Sequence, residues 1–231
     1  MGEEPVLSMA RYETTSDATT APARDAAGLP WWKRPLDLVL AVGMLIAASP
    51  LLAVMALAIR LDSPGPAFYA QERVGKHGRR FRMWKLRTMH VDNDQALHRH
   101  AAARWFAGQD GGAGFKSLRD PRITRVGRLL RRVSLDELPQ LVNIIRGEMS
   151  LVGPRPAIPY ELDLYRNGYF RRQQVAPGLT GLWQVSGRER LSAQRMMELD
   201  LEYVDRMSLL LDLQIILRTI PAMVRCAVKA P

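Results

Sequence analysis

Cysteine is nearly absent. Cys226 is the only one in 231 residues, so no disulfide can close within the chain and a reducing compartment is allowed. Aromatic residues make up 7% of the chain and do not interleave regularly with the basic ones, which argues against a stacking platform for nucleic acid. The N-terminus lacks the basic start and apolar core of a secretory signal. Instead residues 1–30 are rich in Ala, Thr, Asp, Glu and Pro with little apolar periodicity, and this composition predicts a disordered tail. No internal repeat is visible. Charge is missing from Leu38 to Ile59, a run of 22 residues that at about 1.5 Å per residue is long enough to cross a bilayer.

What is present in excess is positive charge. With 33 Lys+Arg against 23 Asp+Glu, the net charge of +10 calls for an acidic partner, and composition alone does not choose among phosphates, anionic lipid and nucleic acid. The length accommodates one ordinary domain with a real core and little more.

Trp31, Trp32, Lys33 and Arg34 form an aromatic and basic edge of the kind found at membrane surfaces, and the apolar run follows. Ser49-Pro50 falls in its middle, where proline removes a helix hydrogen bond and a serine hydroxyl can take up a freed backbone group, so a bend is expected there. Basic residues flank the run on both sides, Lys33 and Arg34 before it and Arg60 to Arg87 after it. Such flanks favour the cytoplasmic side at both ends, which a re-entrant hairpin over 31–60 satisfies; a single-pass anchor with the tail outside is the other reading.

Ser63-Pro64-Gly65-Pro66 ends the segment. Between Ala67 and Met89 two short strands are expected, joined through Gly75 to Gly78, with Phe81, Met83, Lys85 and Arg87 on one face of the second. Residues 90–118 look least regular, with a flexible loop at Gly108 to Gly114. His90, His98 and His100 lack a Cys or acid at ligand spacing and are expected to be solvated rather than metal-bound. Arg122, Arg125, Arg128 and Arg131 recur every three residues, as along one helical face that could meet a membrane or solvent.

Ser134-Leu135-Asp136-Glu137 then places two adjacent carboxylates after a run of arginines. Its S-x-x-E form reads as a capping box, and Leu138, Leu141, Val142 and Ile145 follow at helical spacing, predicting a helix that starts between Ser134 and Asp136 with Pro139 in its first turn. Both acids would sit at the positive end of that helix, about 100° apart around it, and so perform different tasks. Plain capping is the simpler reading of the acids. Downstream, Arg155 is held between Pro154 and Pro156, a stiff mount for a guanidinium able to grip phosphate with two bonds; an ordinary loop arginine is the alternative.

Five runs in order, Ser63–Tyr69 (SPGPAFY), Lys85–Met89 (KLRTM), Ser134–Leu141 (SLDELPQL), Gly147–Pro156 (GEMSLVGPRP) and Pro177–Arg188 (PGLTGLWQVSGR), resemble the bacterial sugar transferases over about residues 31–220. These are the monotopic phosphoglycosyl transferases that begin exopolysaccharide, capsule or O-antigen assembly. The resemblance implies the re-entrant arrangement and transfer of a sugar 1-phosphate from a UDP-sugar to undecaprenyl phosphate, with UMP released. Asp136 would be the nucleophile that forms a covalent aspartyl phosphosugar, and also the ligand of Mg2+. Glu137 would position the metal or take a proton from the incoming lipid phosphate. Lys85, Arg87, Arg131 and Arg155, the last mounted by Pro154 and Pro156, would bind phosphates. The absence of extra N-terminal membrane helices matches the family's short form. Ala157 stands where many members carry a larger or polar residue, and the Trp183 to Arg188 variant resembles members that use galactose or glucose.

After the Pro-Arg-Pro turn a helix is expected over Tyr160 to Arg172, then a loop from Pro177 to Arg188. Helices follow over Ser192 to Met207, with Met196, Leu199, Tyr203 and Met207 facing a core, and over Leu209 to Ile220, ending before Pro221 on the membrane surface or packed on the domain. The expected fold is α+β and predominantly helical. It has a re-entrant membrane helix-break-helix at 31–60, a short β-hairpin, and a catalytic domain over 61–231 with interfacial amphipathic helices. Anionic lipid is an expected partner, nucleic acid is not, and a homodimer is compatible with the sequence. The expected location is the cytoplasmic face of the bacterial inner membrane. A non-enzymatic basic membrane-surface or nucleic-acid-binding protein would explain the charge, and a membrane adaptor the apolar run, but neither explains the acid pair with Pro-Arg-Pro.

Overall fold

The computed structural model describes residues 30–90, 96–109, 120–165 and 168–229, so the expected N-terminal tail and most of the Gly108 to Gly114 loop lie outside the described residues. The uncharged run becomes one helix, α1 (Lys33–Asp62), of 30 residues and about 45 Å. By length and composition it is suited to crossing a membrane. It runs through Ser49-Pro50 without interruption, where the sequence pattern predicted a break. The reason is local: Pro50 has no N–H for the Ile46 carbonyl four residues back, and the Ser49 hydroxyl donates to that carbonyl at 2.8 Å instead. The two ends of α1 are docked while its middle is largely exposed. Ala41 belongs to the main core with Leu141, Ile144 and Leu151, and Met55 and Ile59 belong to a second core with Leu86 and Leu130. Leu138 touches both.

The predicted hairpin is present as β1 (Phe68–Val74) and β2 (Arg80–Leu86), antiparallel with Tyr69 opposite Lys85 and Arg73 opposite Phe81. The turn between them is left-handed at His77 and Gly78. Phe81 and Met83 face the core, as the alternation predicted. Helix α2 (Ala96–Phe106) occupies the region expected to be irregular. Helix α3 (Arg125–Arg132) is shorter than the arginine spacing implied, because Thr124 caps it by accepting the Gly127 N–H at 3.0 Å, and Arg122 stands outside it, paired with Asp120 at 2.6 Å. Helix α4 (Gln140–Arg146) ends at Gly147, whose φ of 81° suits a residue without a Cβ. Its Asn143, fully buried, accepts the Trp84 N–H at 3.0 Å and donates to the Arg82 carbonyl at 2.8 Å, so one amide holds the open edge of β2.

Two short strands were also not expected. β3 (Ser150–Val152) and β4 (Gly178–Thr180) pair in parallel, and Gly153 sits so close to the second segment that a Cβ would come within 2.5 Å of the Ala176 carbonyl oxygen. Short helix α5 (Leu182–Ser186) then takes up part of the predicted loop. The helix expected over Tyr160 to Arg172 is instead two 3-10 segments, Pro159–Leu164 and Tyr169–Gln174. Helix α6 (Ala193–Arg206) matches expectation, with Ser192 as its cap and Met196, Leu199 and Tyr203 buried. Helix α7 (Leu209–Lys229) does not stop at Pro221. The chain is thus mostly helical with a short hairpin.

Charge explains how the helices lock together. Lys33, expected at a lipid headgroup, is buried: its Nζ is paired with Asp212 of α7 and donates to the Val152 carbonyl at 2.8 Å and to Tyr203 Oη at 3.0 Å. Arg34 is likewise folded in, donating to the carbonyls of Ile144 and Ile145 at 2.6 and 2.7 Å where α4 ends. One turn on, Asp37 accepts the Leu151 N–H at 2.9 Å. At the far end Asp62 accepts the Val126 N–H at 2.9 Å and so binds the start of α3.

Candidate active site

The acid pair does not lie in an ordinary helical first turn. Ser134 adopts φ 56° and its side chain caps nothing; Leu135–Glu137 forms a single 3-10 turn, and α4 begins only after Pro139. The expected capping box is therefore absent. Leu135 packs in the second core and Leu138 in both, and these two anchors fix the turn between them. Asp136 is drawn inward, 4% exposed, and its Oδ1 is buried with no hydrogen-bond partner. Glu137 points elsewhere, toward Lys85 Nζ at 3.3 Å. The inference of two acids with two surroundings holds, although a tight turn rather than a helix creates it.

The hairpin links this turn to the Pro-Arg-Pro segment. Lys85 and Met83 share a face with Gln71 and Arg73 on the opposite strand. Arg73 is buried and donates to the Pro156 carbonyl at 3.1 Å and to Gln71 at 2.7 Å. Pro154 and Pro156 are both buried, as a stiff mount requires. The guanidinium they carry grips a carboxylate within the fold: Arg155 donates to both oxygens of Glu161, at 2.8 and 3.1 Å. Glu161 is fully buried and also accepts the Ile158 N–H at 2.9 Å. Behind it, Arg172 donates to the Arg155 carbonyl and pairs with Asp200, which in turn accepts the Arg155 N–H at 3.2 Å.

Charge and burial compete at each of these groups. Burial pushes Arg73 down to about 10, helped by the neighbouring Arg155 charge. Burial lowers Arg155 as well, but Glu161 outweighs it and leaves the guanidinium above its usual range. For Glu161 burial opposes ionisation and Arg155 overcomes it, so its carboxyl stays below the ordinary value. Asp200 goes the other way: burial raises it to about 6 despite Arg172.

Like Arg155 and Lys85, the other two predicted phosphate ligands are engaged within the fold. Arg87 is buried just past β2, and its guanidinium holds the end of α1 through the Pro64 carbonyl and through Ser63 at 2.7 Å. Arg131 donates from Nε to Thr88 Oγ1 at 2.8 Å, beside the start of α3. Arg73, Glu161, Arg172, Asp200 and Asp212 were not singled out as site residues from the sequence, and Lys33 was read only as a membrane-surface residue. A signal existed for some of them. Asp200 falls on the same face of α6 as Met196 and Tyr203, and Lys33, Asp37 and Ala41 are spaced by four, so a charge on an apolar face was readable in both helices.

No group of three or more His, Cys, Asp or Glu is gathered for a metal among the described residues. Magnesium does not require one, since it binds through one or two carboxylates and completes its shell with phosphate oxygens and water. The buried Asp136 Oδ1, a carboxylate oxygen without compensation, fits that demand.

Residues 29–226 match the family described as bacterial sugar transferase. The chain is 44% identical over 190 residues to the exopolysaccharide production protein ExoY of Sinorhizobium fredii, covering 82% of this chain and 84% of that one. It is 44% identical to the UDP-glucose:undecaprenyl-phosphate glucose-1-phosphate transferase of Caulobacter vibrioides, covering 83% and 69%. With the undecaprenyl-phosphate galactose phosphotransferase of Salmonella typhimurium it shares 40% identity over 84% of its own length and 40% of that protein.

Proposed function

The chain belongs to the bacterial sugar transferase family and is a phosphoglycosyl transferase, and from that premise we propose that it moves a sugar 1-phosphate from a UDP-sugar to undecaprenyl phosphate in two steps. The observation that carries this reading is the buried Asp136 carboxylate with an unpartnered oxygen, set beside the Lys85–Glu137 pair. A carboxylate stripped of water is a stronger nucleophile than a solvated one, and covalent catalysis divides one hard displacement into two easier ones.

In the first step Asp136 attacks the sugar-proximal phosphorus. A bond from its oxygen to phosphorus forms, the diphosphate P–O bond breaks, and UMP leaves with the electron pair. In the second an oxygen of undecaprenyl phosphate attacks the same phosphorus, the aspartyl bond breaks, and Asp136 is regenerated. Glu137, oriented by Lys85, stands where it can take the proton from the acceptor phosphate. Asp136, with Glu137 beside it, would hold Mg2+, which when bound neutralises charge on the diphosphate. Arg155 and Arg73 lend positive charge to the same face of the hairpin, each fixed by partners that keep it from relaxing away. Arg87 serves as a positioning residue for the end of α1, and Arg131 orders the segment before α3.

The docking of α1 supports a monotopic placement. Lys33 and Arg34 at one end and Asp62 at the other bind the same body, so the helix is held to the domain at both ends while its exposed middle is left to meet lipid. The cytoplasmic face of the inner membrane is the side on which a UDP-sugar is available. Helix α7 exposes Leu210, Leu213, Leu217 and Ile220, an apolar stripe that would lie in the interface with anionic lipid.

Incubating membranes containing the protein with radiolabelled UDP-glucose and UDP-galactose tests the reading. A labelled protein adduct and UMP should appear before any acceptor is added, and Asp136→Asn should abolish both. An adduct that survives in Asp136→Asn would remove Asp136 as the nucleophile. Glu137→Gln should slow the second step more than the first.

A further inference from the structure

Besides the acid pair, the structure carries a groove of about 670 Å³ lined by Ala56 and Arg60 of α1 and by Gly65, Pro66, Ala67 and Phe68 of the turn that follows. Four features identify what it holds. One wall is the last part of an apolar helix, with Leu57 and Leu61 exposed beside it and Phe68 exposed at its mouth, so the groove is continuous with surface suited to lipid. Arg60 is exposed and makes no hydrogen bond or ion pair among the described residues, at the end of the apolar run where a headgroup would lie. The lining has no other charged side chain and no polar one, which suits a hydrocarbon chain with one anionic end and not a uridine or a sugar. The floor leads to the acid pair: Ala67 packs in the cluster that contains Leu135, the residue before Asp136, and Tyr69, next to Phe68, lies opposite Lys85, the partner of Glu137.

We infer that this groove is the docking site of the polyisoprenyl monophosphate acceptor, with the first part of its chain against Ala56, Pro66 and Phe68 and its phosphate met by Arg60. The inference rests on the two-step reading above. It assigns the donor and the acceptor separate approaches to one carboxylate, the acceptor arriving from the membrane side. It also gives Arg87 a purpose: by holding the Ser63 and Pro64 carbonyls, it fixes the wall of the groove.

The test uses the full chain in nanodiscs. Arg60→Glu should raise the KM for undecaprenyl phosphate about tenfold or more, as expected when one charge-assisted hydrogen bond is removed, while the labelled adduct still forms from UDP-sugar. Arg60→Lys should restore most of the affinity, and Phe68→Ala should raise the same KM without altering adduct formation. Retention of undecaprenyl phosphate by native mass spectrometry gives a readout that needs no turnover, and Arg60→Glu should abolish it. An unchanged KM and unchanged retention in Arg60→Glu would overturn the inference, as would loss of the adduct itself, which would place Arg60 on the donor side. Equal retention of phosphatidylglycerol would replace the acceptor site with a general headgroup contact. If the unsubstituted protein forms no adduct, the two-step reading fails, and lipid retention still decides the groove.

Discussion

Replacing Lys33 with Met isolates one of the buried ion pairs of the fold. Lys33 and Asp212 are 5% and 1% exposed, so the substitution leaves a buried carboxylate that keeps the Tyr203 hydroxyl as a donor while Asp37 adds repulsion. Breaking a buried pair from one side costs about 3–5 kcal/mol, which for a chain of this size lowers Tm by on the order of 10 °C. Burial already holds the Asp212 carboxyl above its ordinary value even with Lys33 present, and without Lys33 it rises further. A raised carboxyl favours the native state below its unfolded pKa and loses that advantage as pH rises through the folded one. The loss in Lys33→Met should therefore shrink as pH is lowered from 8 to 5. Lys33→Met/Asp212→Leu, which removes both charges of the pair, should recover most of the Tm. Thermal unfolding of the detergent-solubilised protein across that pH range, by tryptophan fluorescence, measures all of these. A Tm drop below about 2 °C, or a double variant no more stable than the single one, would refute the reasoning.

Three further outcomes follow from the same network of buried charges and close backbone approaches. Glu161→Gln removes the charge gripped by Arg155 and should cost about 3 kcal/mol of stability together with a lower kcat/KM for UDP-sugar, read by thermal unfolding and steady-state UMP release. Asp200, raised from 3.8 to about 6, contributes about 3 kcal/mol that is present below pH 4 and lost as pH rises through 6, so in Asp200→Asn the Tm should climb more steeply between pH 4 and 6 than in the unsubstituted chain. Gly153→Ala would place its Cβ 2.5 Å from a carbonyl oxygen and 2.8 Å from the Gly178 nitrogen and should abolish folded protein, whereas Gly43→Ala, which meets nothing within 4 Å, should be neutral or mildly stabilising by expression and Tm.

What the sequence displayed well were features with a local cause. The hairpin followed from strand alternation around Gly75 to Gly78, α6 from an apolar face at helical spacing, and the serine hydroxyl beside Pro50 from the chemistry of a missing N–H. The acid pair was visible for the same reason, as two carboxylates adjacent in the chain. Long-range pairing was not visible. The parallel contact between Ser150 and Gly178 joins segments whose three-residue strands carry no period to read, and the match between Arg155 and Glu161 depends on a 3-10 turn that looked helical. Arg87 and Lys33 show the sharpest limit, since a basic side chain reads as a ligand or a headgroup contact until its carbonyl partners are known.

The bond between Lys33 and Asp212 joins positions 179 residues apart. During synthesis at about 5–20 residues per second, the lysine is made roughly 10 to 40 s before its partner. For that interval the nascent chain carries an unneutralised ammonium at the mouth of its apolar segment, which opposes translocation of that end and so helps to fix orientation. When translation reaches α7, the same charge changes from a topology signal into a closing latch, and a chain that stops short of Asp212 keeps a lysine it has no means to bury.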